Sequence, residues 1–175
     1  TNKLESQDVP LDPEMATRYR GITARMDHLG QDRSDIQFAV KELGREMSNP
    51  TDKKWTKLKR LVRYLKGVPR ARTQHEYQEM PKEINVWADL AGCERTRKST
   101  SAGVVQLGKH MLKSWSSTQT TIALSSGEAE LYALTKLAVQ ALGFISMAND
   151  FGQSLSGKIL TDSSAAIGIA RVEAD

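Results

Sequence analysis

Hydrophobic positions in the first third of the chain recur at helical spacing. Met15, Tyr19, Ile22, Met26 and Leu29 lie three or four residues apart, a separation that gathers side chains on one face of an α-helix. Asp12-Pro13 supplies an N-cap followed by a first-turn proline, and Gly30 stands where that helix would stop. A second stripe, Ile36, Ala39, Val40, Leu43 and Met47, follows Ser34, whose spacing to Gln37 is that of a capping box; Asn49-Pro50 closes it. A third helix starts at Thr51 or Asp52 and aligns Trp55, Leu58, Leu61, Val62 and Leu65 ahead of Gly67. Helices this short are marginal alone, so 12–67 is expected to form one helical segment in which they bury each other. Residues 1–11, poor in apolar side chains, are expected to wander as a flexible tail.

Periodicity lapses over 68–82, a stretch with two prolines and several charges that reads as a linker. Beyond it the pattern changes to one suited to strands. A strand is predicted over 84–90, and a hairpin over 102–107 and 111–115 turning at Gly108-Lys109. The β-prone stretch 120–124 is expected to extend the sheet. A long apolar-rich helix is predicted over 127–151, a short strand over 158–161 and a further helix over 162–171. The order β-β-β-α-β-α implies an α/β domain over 83–175, a mixed sheet with packed helices, preceded by the small helical segment.

Composition narrows the class of protein. With 175 residues, 39% hydrophobic and 26% charged, the chain is neither a disordered tract nor membrane-embedded. No run approaches the ~18 apolar residues of a spanning helix, and no export signal opens the sequence. A single cysteine, Cys93, excludes an internal disulfide framework and suits an intracellular setting. The formal charge of +4 is concentrated: residues 51–72 hold nine Lys or Arg against one acid, Asp52. Such a block either is a solvated helix face or attracts a polyanion, with Lys53, Lys57 and Arg60 as contacts.

Three carboxylates stand where chemistry could occur. In the long helix Glu130 shares an arc with Leu134, Leu137, Ala141 and Ile145, while Glu128 points away with Lys136 and Gln140. A carboxylate aimed at a sheet must be hydrated, paired or bound to a cation, unless it sits at the wet end of its helix. Asp162 follows the last strand, where open α/β sheets place their sites, but it would also serve as a helix N-cap. Asp89 falls on the face of its strand with Asn85 and Trp87, and by itself reads as a strand-edge acid. Converging, the three would hold Mg²⁺ through oxygen ligands.

Several stretches resemble the Pol polyprotein of copia-type retrotransposons. Tyr19-Arg20-Gly21, Arg33-Ser34-Asp35-Ile36 and the run from Met47-Ser48-Asn49-Pro50 through Lys59-Arg60-Leu61-Val62-Arg63-Tyr64-Leu65 are similar to the end of its reverse transcriptase. Ala91-Gly92-Cys93, Lys98-Ser99-Thr100-Ser101, Ser114-Trp115-Ser116, Ser125-Ser126-Gly127-Glu128-Ala129-Glu130 and Thr161-Asp162-Ser163-Ser164 are similar to the RNase H domain that follows. The resemblance implies an RNase H-like fold whose acids bind two Mg²⁺ or Mn²⁺ ions and cleave RNA in an RNA–DNA hybrid. It assigns Glu130 and Asp162 as catalytic metal ligands, and Arg97 and Lys98 join the candidate nucleic-acid contacts. Aligned on Ala91-Gly92, the family's first catalytic aspartate falls on Trp87, and Asp89 matches only the second aspartate of that motif. The final carboxylate is expected beyond Asp175. The resemblance thus implies a catalytically impaired domain that retains nucleic-acid binding. The alternatives are a non-catalytic interaction subunit with protein partners, and weak hydrolysis through Asp89, Glu130 and Asp162.

Overall fold

The computed structural model describes residues 8–91, 98–164 and 167–168, with the backbone alone for 89–91. Its contacts divide the chain into two compact units, Thr1–Thr73 and Gln74–Asp175.

The first unit holds α1 (Pro13–Gly30), α2 (Gln37–Gly44) and α3 (Asp52–Gly67). Asp12 caps α1 as the sequence predicts, its side chain accepting a 2.9 Å hydrogen bond from Met15 N. Tyr19, Ile36, Val40, Leu43, Leu58 and Leu61 form the buried core. The Tyr19 hydroxyl stays satisfied there by donating to Leu43 O at 2.8 Å, and burial pushes its pKa up to about 12.

Three expectations are corrected in this unit. The Ser34 capping box does not form; α2 begins three residues later and ends at Gly44, well before Asn49-Pro50. Its entry is set instead by Arg33, whose guanidinium holds Asp35 through two bonds, Nε to Oδ1 at 2.9 Å and Nη2 to Oδ2 at 2.7 Å. The same guanidinium donates to Val68 O just past α3, and Tyr64 donates to Asp35 at 2.8 Å. One buried arginine thus ties the α1–α2 turn to the end of α3. Val62 is 42% exposed rather than buried, because it lies at the margin of the arc centred on Leu58, Leu61 and Leu65. Residues 8–11 are fixed rather than wandering: Asp52 N donates to Val9 O and Leu11 N to Pro50 O, both at 3.0 Å. Residues 1–7 lie outside the described residues.

The second unit is a four-stranded sheet of order β3-β2-β1-β4, built from β1 (Glu83–Ala91), β2 (Thr100–Leu107), β3 (His110–Thr118) and β4 (Ser156–Leu160), with α4 (Ser126–Asp150) laid across it. The first three strands form an antiparallel meander, and β4 returns parallel to β1 after the α4 crossover. Strand alternation directs Ile84 and Val86 to the helix, where they bury with Val105, Leu134, Leu137 and Ala141. By length and composition α4 could cross a membrane, a criterion that a core helix laid on a sheet also meets. Its N-terminus carries the capping box the chain actually uses: Ser125 Oγ accepts from Glu128 N at 3.1 Å, and Glu128 reaches back to Leu124 N at 2.6 Å.

Residues 120–124 form no strand, contrary to expectation; Leu124 is 95% exposed. The chain must leave the sheet there to climb to α4, so those side chains have no pleated surface to cover. Of the predicted last helix, Ser164, Ile167 and Gly168 are helical, and the remainder beyond Gly168 lies outside the described residues. The stretch 68–82 lacks helix or strand, yet its second half is strapped to the hairpin turn. Gln78 donates to Leu107 O at 2.9 Å and accepts from Lys109 N at 2.8 Å. Its amide also donates to His110 Nδ1, which leaves the proton on Nε2 to bond Glu76 O at 2.8 Å. Gly108 takes φ +59° in the turn, and a Cβ there would strike Gln78. Gly103 is constrained differently: Trp115 of β3 lies over it, where a Cβ would intrude on the ring.

Two consequences can be measured. Hydrogen bonds from Arg33, opposed by desolvation and reinforced by Tyr64, lower the Asp35 pKa to about 2. Its stabilising contribution is complete above the ordinary carboxylate value of about 3.9 and lost as pH falls through about 2. Acid unfolding followed by far-UV circular dichroism should therefore include a component between those values that Asp35→Asn removes. At neutral pH the variant should lose about 1 kcal/mol, since the partly exposed carboxyl is screened by solvent. Gly103→Ala should cost about 1–3 kcal/mol in thermal unfolding through overpacking, with a change in tryptophan emission as the Trp115 ring is displaced.

Candidate functional site

Glu130 lies in the second turn of α4, between the buried Ala129 and Ala133. Glu130 is half-buried, and its Oε2 reaches neither solvent nor any hydrogen-bond partner among the described residues. The neighbouring acid is quite different. The backbone N–H of Leu124 and then the Tyr132 hydroxyl hold the Glu128 carboxyl below the usual range, so Glu128 is committed to capping, whereas Glu130 has no partner among the described residues.

A side chain that sequence reasoning missed fixes where Glu130 sits over the sheet. Gln119, buried just after β3, donates from Nε2 to Ser101 Oγ at 2.9 Å and to Ala129 O at 2.7 Å. Ser101 is in register with Leu90 of β1. The first turns of α4 therefore lie over the C-terminal end of β1. Nothing in the local pattern around Gln119 marks this role; only the fold brings its two acceptors together.

Asp162 follows β4, is exposed, and makes no hydrogen bond or ion pair among the described residues. The helix-capping explanation fails for it. The first helical residue is Ser164, and the residue at the cap position is Ser163, whose carbonyl accepts from Ile167 N at 3.1 Å. Asp89 pairs through its backbone with Ala102, and its side chain lies outside the described residues. The β1–β4 pairing ends at Trp87 beside Leu160. Carried two residues further, that parallel register brings position 89, not 87, level with Asp162. Trp87 is 36% exposed and alternates away from the Ile84 and Val86 face. Among the described residues no three or more His, Cys, Asp or Glu side chains cluster as a metal site.

The basic residues are distributed as follows. Lys53, Lys57 and Arg60 are exposed on α3 and make no ion pair among the described residues, whereas Lys54 pairs with Glu46 at 3.1 Å. Lys98 is half-buried immediately before β2. Arg97, like Cys93, lies outside the described residues.

No family model matches the chain, and no solved structure matches it significantly. Curated proteins do. The chain is 33% identical over 150 residues to the retrovirus-related Pol polyprotein from transposon RE2 of Arabidopsis thaliana, covering 80% of this chain and 10% of the polyprotein. The corresponding polyprotein from transposon RE1 is 32% identical over the same length and the same shares. An uncharacterized mitochondrial protein of Arabidopsis thaliana is 33% identical over 124 residues, 70% of this chain and 51% of that protein. The chain thus spans about a tenth of the length of the two polyproteins. Together with the ordered motifs and the α/β unit that follows the helical one, these similarities show that the chain belongs to the retrovirus-related Pol polyproteins of copia-type transposons.

Proposed function

We propose that the second unit is an RNase H-like domain that binds a divalent cation, Mg²⁺ or Mn²⁺, through Asp89, Glu130 and Asp162. The observation that carries this reading is the buried, partnerless Oε2 of Glu130 over the C-terminal end of β1. Burying an unpaired carboxylate oxygen is costly, and a cation with oxygen-ligand preference removes that cost. The unpaired Asp162 just beyond β4 supports the same reading, because no capping role accounts for it. When bound, such an ion polarises a phosphoryl oxygen and makes its water more acidic.

The expectation of impairment rests on Trp87 occupying the place of the family's first aspartate and on a final carboxylate expected beyond Asp175. Asp89 is the strand ligand on this reading, supported by the β1–β4 register, which ends at Trp87 and Leu160 and, if carried two residues further, would bring position 89 level with Asp162. On this reading Asp89 and Asp162 hold the cation from adjacent strands and Glu130 closes it from the helix. Trp87, level with Leu160, is left out of the ligand set. The substrate proposed is an RNA–DNA hybrid.

The test is Mn²⁺ and Mg²⁺ titration together with cleavage of a labelled hybrid. Metal-dependent cleavage is expected in the wild type, with a loss of about a hundredfold or more in Glu130→Gln and in Asp89→Asn, about 3 kcal/mol of barrier. Trp87→Asp should leave the rate within a few-fold of wild type. A wild type that neither cleaves nor binds Mn²⁺ would return the domain to a non-catalytic interaction subunit. Strong activation by Trp87→Asp would instead restore position 87 as the ligand.

A further inference from the structure

We propose that the groove between α2 and α3 is a docking site for an acidic amphipathic peptide segment. This inference concerns the helical unit alone and does not rest on the RNase H reading. The groove encloses about 500 Å³. Ile36, Leu43 and Leu61 form its apolar floor, and Phe38 and Tyr64, 54% and 44% exposed, stand at its lips.

Charge decides what would fill it. The acids lining the groove are already neutralised: Asp35 is held by Arg33 at 2.7 Å, and Glu42 by Lys41 at 2.7 Å and Arg45 at 3.1 Å. Lys54 is likewise offset by Glu46. Among the described residues Lys57 and Arg60 make no ion pair or hydrogen bond, so the wall formed by α3 carries positive charge that the described residues do not compensate. They lie three residues apart on one helix face, at a spacing that carboxylates on successive turns of a docked helix could meet.

The aromatic lips favour insertion of apolar side chains over stacking of nucleobases. Lys41 Nζ already covers a face of the Phe38 ring, 4.8 Å from its centroid, and the Tyr64 hydroxyl is tied to Asp35. Both rings are thereby held as walls rather than left as open platforms. A helix with apolar residues at i, i+3, i+4 and i+7 and flanking Asp or Glu matches floor and wall together.

The experiment is fluorescence anisotropy of the full chain with a labelled synthetic helix of roughly four turns, Leu on one face and Glu on its flanks. Salt-sensitive binding is expected, well above that of a scrambled isomer of the same composition. The surface double substitution Lys57→Glu with Arg60→Glu should weaken it by about tenfold or more and turn the preference toward the same helix with Lys in place of Glu. Ala39→Trp, which fills the groove from an exposed position on α2 without altering charge, should weaken binding comparably. Equal binding of the scrambled isomer, or indifference to the double charge reversal, would overturn the proposal. So would displacement of the peptide by oligo(dT) whose own binding is lost in Ala39→Trp; that result would make the groove a single-strand nucleic-acid site.

Discussion

The parallel register of β1 and β4 is the constraint on which the second unit depends. Ile84 and Val86 must face α4 to be buried, and once they do, every other position of β1 is assigned to a face. Trp87 then stands beside Leu160, and both chains continue toward the end of the sheet where Asp89 and Asp162 lie. Slipping the strand by one residue would expose that aliphatic pair and bury Asn85 and Trp87 in their place. The hydrophobic core therefore sets which acids can share an end of the sheet, although none of those acids contributes to the core.

Helix α4 supplies the third acid through a related economy of partners. Its first turn commits Ser125 and Glu128 to one another's backbone, with Tyr132 added to the carboxylate. Gln119 anchors the next carbonyl, Ala129 O, to β2. These bonds fix the helix's start and its height over the strands, and they leave Glu130 held in place by its neighbours rather than by any bond of its own.

In the helical unit Arg33 plays the organising part. Its side chain is 7% exposed, so its charge has to be matched locally, and Asp35 and the Val68 carbonyl do so. That network holds three short helices in one arrangement. It also engages Asp35, one of the two acids lining the α2–α3 groove, where Lys57 and Arg60 have no ion pair among the described residues.

Much of this was legible in the chain itself. The Asp12 cap, the stripes through Tyr19 and Leu58, the turn at Gly108 and the strand–helix–strand order beyond residue 83 follow from spacing and backbone chemistry, which act between near neighbours. The local rules failed where long-range partners outbid them: Ser34 lost its capping role to the Arg33–Asp35 pair, Val62 fell outside the buried arc, and residues 120–124 had to leave the sheet despite their β propensity. The sequence by itself determined which residues could be buried and which acids stood at strand and helix ends. Only the tertiary structure decided that Trp87 stands level with Leu160, and that Glu130 Oε2 is buried without a hydrogen-bond partner among the described residues. Register and the satisfaction of a buried group depend on what lies opposite, and residues far apart in the chain supply that only once the sheet and helix have packed.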